Sequence, residues 1–441
     1  MRIDKRHGLL LLALLCIGQL LATVFFFLSF KRHGYLPSPF VYDKTDTFMD
    51  LFNTMFWAGH EGRYETWKSV YPPFVFLLLD AVRNMFVPPM TYPSPHALRS
   101  GAHGLQLALV AAYFVLPALA LGLRIWDDFN LKEKLLLYVT AVSSLPFLFA
   151  LERGNLILLA TPLLTLLLGK SPRWRVLALM LLINIKPYFA LLLFAYVAKK
   201  YWDELFVAVL ATGAMYLVTA TLINANFTSM LFNLVSFGQN ANVFSLREML
   251  SFPSSVSAFA AVLSTSRFID SKYAIDWLNA TWLAGFIEIC KWGLIAWALA
   301  ALFRVGKEIG ICAVFAVLIV ITTNLSTSVG GYSLIFYFAL IPVIKGLRYA
   351  PVYFLLLAAI YLPLDPILPL VRNDIGTQIS FLAGRAVDVH WTLGLATALR
   401  PWLNLLLLAV MAFEFSRSHI PASVLSQPAR SPTNLSETCE S

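Results

Sequence analysis

The stretch GLLLLALLCIGQLLATVFFFLSF, Gly8 to Phe30, decides the class of fold. It holds no charged side chain, and as a helix it would be about 35 Å long, enough to cross a ~30 Å hydrocarbon core. Arg2, Lys5 and Arg6 precede it and Lys31 and Arg32 follow it. No small-residue cleavage site ends the run, and it is longer than a signal-peptide core, so it reads as a retained first span.

The rest of the chain repeats the pattern. Over 441 residues it is 59% hydrophobic and 13% charged, with a mean hydropathy of +0.73. This composition points to an all-α polytopic membrane protein. Further apolar runs cover Leu105–Leu123, Leu135–Ala150, Leu156–Leu168, Val176–Ile185, Phe189–Ala198 and Leu205–Ile223. Others follow at Trp282–Phe303, Ile309–Thr322, Tyr332–Ile344, Val352–Leu364 and Trp402–Phe415. The expectation is about twelve transmembrane helices in one domain over 1–415.

Basic residues then orient the chain, because cytoplasmic loops carry the excess of lysine and arginine. Arg2, Lys5 and Arg6 fall inside, as do Arg124, Lys132 and Lys134, then Lys170, Arg173 and Arg175. Lys199 and Lys200, Arg304 and Lys307, Lys345 and Arg348, and Arg417 continue the set. Both termini are therefore expected in the cytoplasm, and the long loops 31–104, 224–281 and 365–401 on the other face. Val75–Val87 is apolar but carries Asp80 and Arg83, and counting it as a span would invert every later loop. It is expected as a helix lying in the outer interface. The second loop, with Phe232, Phe237, Gln239 and Arg247, is expected to form further interfacial helices. The polar, serine-rich segment 416–441 is expected to be a disordered tail.

Several function classes are disfavoured. The net charge of +9 is distributed as topology signals and does not indicate nucleic acid. Four cysteines show no CxxC or Cys/His metal spacing, and no phosphate-binding glycine loop is present. No metal or cofactor is expected. What stands out is a carboxylate cluster, Asp43, Asp46 and Asp50, just outside the first span and ahead of a stiff Tyr71-Pro72-Pro73. Carboxylates at a membrane rim mark a site by default. Cations expected at the same level are Arg63, Arg153, Lys186 and Arg247.

The segments Asp46-Thr-Phe-Met-Asp50-Leu-Phe-Asn53, Gly62-Arg63-Tyr64 and Ser69-Val-Tyr71-Pro72-Pro73-Phe74 resemble the membrane-embedded glycosyltransferases of the GT-C superfold. More narrowly they are similar to the glycosyltransferase family 87 group, which includes polyprenol-phosphate-mannose-dependent mannosyltransferases. Glu152-Arg153-Gly154-Asn155 resembles that group's Gly-Gln-x-Asn element, and Ile185-Lys186-Pro187-Tyr188 its Lys-Pro element. Ser326 to Tyr332 is similar to its Ser-Pro-x-Ser-Trp region, departing at Gly330 and Gly331.

The resemblance implies a GT-C-type bundle in a bacterial cytoplasmic membrane, acting on its outer face. It implies transfer of a hexose, with mannose the group's best-known donor sugar, from a polyprenyl-phosphate carrier to a hydroxyl of a glycolipid or glycan, without a metal. Asp50 or Asp46 would be the general base. Arg153, Lys186, Asn155, Arg63, Tyr71 and Arg247 would bind the donor phosphate or sugar, and membrane lipids would surround the bundle. A polysaccharide polymerase, or a transporter or flippase of lipid-linked glycans, is the alternative.

Overall fold

The computed structural model describes residues 5–37, 40, 47–87, 91–239, 281–325, 331–362 and 369–417. The protein is mostly helical. Helix α1 (Lys5–His33) contains the opening stretch. Three short helices follow, α2 (Met49–Ala58), α3 (Pro73–Phe86) and α4 (Pro95–Gly101). Then come α5 (His103–Leu121), α6 (Leu131–Ser143), α7 (Leu145–Arg153), α8 (Ala160–Leu167), α9 (Pro172–Ile185), α10 (Phe194–Lys199), α11 (Trp202–Leu222) and α12 (Ser229–Gln239). After the undescribed 240–280, the chain forms α13 (Thr281–Val305), α14 (Ile311–Leu325), α15 (Phe336–Ile344), α16 (Ala350–Tyr361) and α17 (Leu395–Arg417).

Among the described residues four helices are long and apolar enough to cross a membrane: Leu12–His33, His103–Leu121, Trp202–Leu222 and Leu395–Arg417. A fifth arises if α6 and α7, bent by 50° at Ser144, count as one crossing. Five other apolar segments form helices of 10–17 residues and α13 has 25, so helix length alone does not reach the expected count of about twelve. Helix α14 shows why the shorter ones are still interior. Ala313 to Asn324 are buried without interruption, the mark of a helix that is covered on every side.

The expected helix at Val75–Val87 forms as α3, with Pro73 at its first turn, where a missing N–H costs nothing. It buries Val75, Phe76 and Leu79 and leaves Met85 and Phe86 exposed. Together with α2 and α4 it makes a second apolar core, built on Phe52, Met55, Tyr64, Phe76 and Leu98. The first long loop is thus a packed helical cap.

One expectation is corrected. The chain is expected to be all-α, with a long outer loop at 365–401, yet that segment contains an antiparallel hairpin, β1 (Pro369–Ser380) and β2 (Arg385–Gly394). Gly384, at φ 64°, sits in the turn between the two strands, and the register shifts between Asp374 and Gly376, where φ is 91°. Residues 395–401 belong to α17 rather than to a loop.

Hydrogen bonds sort the connections into two sets. In one, Thr47 bonds Glu152, Lys186 bonds Tyr71, Arg63 bonds Ile223, Asn233 bonds Ser69 and Tyr35 bonds His390. In the other, Lys199 bonds Lys307 and Ile309, Lys345 bonds Asp128, and Arg304 bonds Ser416. The first set joins the segments expected outside and the second joins the basic ones. Tyr71, just before α3, meets Lys186, and Arg99, in α4, meets Thr47 at 2.8 Å. Both flanks of α3 therefore lie at the same end of the bundle.

Candidate functional site

The site is built where α7 stops. Gly154 adopts φ 64°, its N–H donates to the Leu151 carbonyl at 2.8 Å, and the Asn155 N–H donates to the Ala150 carbonyl at 2.8 Å. This paired closure is a Schellman cap, which needs a residue tolerant of left-handed backbone at its pivot. A Cβ on Gly154 would also lie 3.0 Å from the Phe48 carbonyl oxygen and 3.1 Å from its Cα. The glycine therefore serves both the turn and the close approach of the first loop.

Asn155, next in line, accepts from the Ile157 N–H at 3.0 Å through Oδ1. Its Nδ2 is left to donate to Asp50 Oδ2, at 2.5 Å. Arg153, at the negative end of the α7 dipole, places Nη2 3.1 Å from Asp50 Oδ1. One carboxylate is thus held by two different side chains from a single turn. Its side chain is 20% exposed against 8% for Arg153, so the acid stays reachable.

Asp50 sits in the first turn of α2, and the residue capping that helix, Phe48, has φ 63°. A bulky aromatic in that region is a backbone outlier and needs support from its surroundings. Three contacts supply it. The Phe48 N–H donates to the Glu152 carbonyl at 2.7 Å, Thr47 Oγ1 donates to Glu152 Oε1 at 3.3 Å, and the Phe48 ring meets Phe381 edge-on at 6.4 Å. Phe381 lies in the turn of the hairpin and also stacks under Arg99, 3.8 Å from its guanidinium carbon.

Lys186 arrives from a second interruption. Pro187 pushes its predecessor out of helical backbone, and Lys186 has φ −140° and ψ 111°, ending α9. Its Nζ donates to Tyr71 Oη at 3.1 Å and lies 4.2 Å from that ring's centroid. One ammonium proton is used there and two are left for a ligand. Tyr71 is fixed in turn, since its carbonyl accepts from Tyr64 Oη at 3.0 Å and its N–H donates to Ser69 Oγ at 3.3 Å. Burial, with the Asp50 charge as a second cause, pushes the Tyr71 phenol well above the usual tyrosine range.

A third interruption lies at Tyr332, whose hydroxyl is within electrostatic reach of Asp50, Lys186, Tyr71 and Arg153. Its ring packs 5.7 Å from Phe149 of α7. The short helical segments 156–167, 187–199 and 332–344 therefore all begin at this site, each opening with a 3-10 turn. Helix N-termini carry partial positive charge. Tyr332 and Phe48 are site residues that the sequence reading quoted within longer motifs without giving them a role. The signal for Tyr332 was its place at the start of a short apolar run.

Of the residues expected at the site, Asp50, Arg153, Asn155, Lys186 and Tyr71 come together. Arg63 does not join them. Its guanidinium donates to the carbonyls of Ala58, His60 and Ile223, at the far end of α2, about 12 Å along the axis from Asp50. It closes that helix and ties it to the end of α11. Asp46, Asp43 and Arg247 lie outside the described residues. No group of three or more His, Cys, Asp or Glu among the described residues could hold a metal ion. No family model, curated protein or solved structure matches the chain.

Proposed function

We propose that the protein is a membrane-embedded glycosyltransferase that takes a hexose from a polyprenyl-phosphate carrier and passes it to a hydroxyl of a glycolipid or glycan. The observation carrying this reading is one aspartate, fixed by Arg153 and Asn155, beside a lysine with unused ammonium protons. A carboxylate offers about four acceptor positions, and Asp50 uses two in its bonds to Arg153 and Asn155. An acceptor hydroxyl can therefore donate to it.

In the step we envisage, Asp50 takes the hydroxyl proton as the oxygen attacks the anomeric carbon. The bond from that carbon to the phosphate oxygen breaks, and the polyprenyl phosphate leaves with the electron pair. Lys186, aided by the three helix starts, meets the charge growing on the phosphate. Arg153 orients the base. This division refines the expectation that either cation could serve the phosphate.

The bundle fits this role as a GT-C-type fold of about twelve passes with the site on the outer face. The alternation of the two contact sets along the chain supports that topology, as do the basic residues at the opposite end. A bacterial inner membrane suits a carrier of this kind.

The test is transfer by the purified protein in liposomes, supplied with polyprenyl-phosphate hexoses and candidate glycolipid acceptors. Asp50→Asn keeps the shape of the side chain and should lower turnover by about 10²–10⁴-fold, the range for a lost general base. Undiminished turnover in Asp50→Asn would remove the base assignment. Movement of a lipid-linked glycan across the bilayer with no new glycosidic bond would make the protein a transporter instead.

A further inference from the structure

The basic end of the bundle holds a second feature, unconnected with Asp50. Helix α10 closes with the same paired cap as α7: the Lys200 N–H donates to Val197 at 3.1 Å and the Tyr201 N–H to Tyr196 at 2.9 Å. Here the left-handed pivot is not glycine but Lys200, at φ 56°. A lysine in that position costs about 1 kcal/mol of backbone energy that glycine would avoid. A strained position retained on an exposed turn asks what the side chain does there.

It faces another lysine. The turn 198–201 packs against the turn 305–310, where a Cβ on Gly306 would lie 3.2 Å from both Ala198 Cβ and its carbonyl oxygen. Lys199 locks the two turns together, donating to the carbonyls of Lys307 at 2.9 Å and Ile309 at 2.7 Å. That arrangement sets Lys200 and Lys307 on packed neighbouring turns, and the closeness of the Lys200 ammonium lowers the Lys307 pKa. Both side chains are exposed. Among the described residues neither lysine forms an ion pair with a carboxylate. Asp203, Glu204 and Glu308 are close in sequence yet make no such contact.

The depth of this pair is marked by aromatic rings. Tyr201 and Trp202 follow directly, the latter 57% exposed at the start of α11, whose apolar window is only 17% buried. An exposed tryptophan at the end of an outward-facing span marks the headgroup level. Two cations held together by backbone at that level are matched by a phosphate group.

We propose that Lys200 and Lys307 form a site for a phosphate anion at the basic end of the bundle, occupied by the phosphodiester of an anionic phospholipid. The two ammonium groups would each donate to it, which offsets their mutual repulsion.

The test uses the full-length protein in neutral detergent. Retention of dioleoylphosphatidylglycerol is compared with that of dioleoylphosphatidylcholine by native mass spectrometry, with a separate arm of millimolar inorganic phosphate. Lys200→Gly is the decisive variant, because glycine suits the left-handed turn and removes the charge. It should unfold no earlier than the parent protein on heating, yet bind the anionic lipid about fivefold more weakly. Lys307→Gln should do the same, while Lys132→Gln, an exposed lysine elsewhere, should not. Lysine-dependent displacement of the lipid by inorganic phosphate would keep the site and make free phosphate a second occupant. If Lys200→Gly and Lys307→Gln retain phosphatidylglycerol like the parent protein, or if the parent holds phosphatidylcholine equally well, the proposal fails.

Discussion

Replacing Gly154 by alanine tests whether the cap on α7 positions Asp50. Two penalties are expected. Alanine at φ 64° loses about 1–2 kcal/mol relative to glycine. Its Cβ would also press on Phe48, with contacts of 3.0 Å to the carbonyl oxygen, 3.1 Å to Cα and 3.2 Å to Leu51 Cβ. Two of those neighbours are backbone and cannot rotate aside, so the first loop must shift or the cap must open. An added 1–2 kcal/mol of local opening is a factor of about 5–30 in the open population. Amide exchange reads that population directly, and the reporters are the Phe48 N–H, bonded to Glu152, and the first turn of α2. Peptide-level exchange over 47–52 should rise by at least that factor in Gly154→Ala. Gly154→Asn separates the two causes. Asparagine tolerates left-handed backbone but carries the same Cβ, so it should recover the backbone share and keep the steric one. Exchange over 47–52 that is unchanged in Gly154→Ala would refute the close-approach argument.

Three further outcomes follow from the same geometry. Asn155→Leu removes both the bond to Asp50 and the cap on Ile157, and should destabilise the protein by about 1–2 kcal/mol in denaturant titration; a loss below a few tenths would show the cap to be idle. Because folding raises the Tyr71 phenol, its contribution is complete below pH ~10 and is lost as the pH climbs beyond. Tyr71→Phe should therefore lose stability less steeply than the parent above that pH, and parallel alkaline limbs would contradict it. Phe381→Ala deletes the edge contact with Phe48 and the stack under Arg99, together worth about 1–3 kcal/mol. Limited proteolysis should then cut the hairpin faster, and an unchanged cleavage rate would argue against docking of its turn.

Asp50, Arg153, Asn155, Lys186 and Tyr71 were singled out in the sequence through the motifs they sit in, and local backbone rules explain how the structure presents two of them. Gly154 stops α7 beside Arg153 and Asn155, and Pro187 makes the break that presents Lys186. Both are short-range effects and survive any tertiary context. Arg63 was misjudged for the opposite reason. Its partners are carbonyls of Ala58, His60 and Ile223, and a bond across the chain to the end of α11 leaves no trace in local sequence. The hairpin did leave one: Val387, Val389, Trp391 and Leu393 alternate with Asp388, His390 and Thr392, and Ala383-Gly384 precedes them.

The short helices and the site have one cause. Apolar segments that end or begin at 154–155, 186–187 or 332 expose backbone groups and a polar side chain, which hydrocarbon does not tolerate. Such breaks persist where protein covers them, and here α2, α3, α4 and the hairpin turn provide the cover, with their own apolar core. The breaks also aim three helix starts at one aspartate and one lysine. Hydropathy alone counts each of these runs as a separate span. The same shortness is what brings Asn155, Lys186 and Tyr332 to a common level, where broken helices in other membrane folds receive anionic groups. The cap should accordingly be inseparable from the site: changes that loosen α2, such as Gly154→Ala, should weaken the hold on Asp50 before they disturb the bundle core around α14.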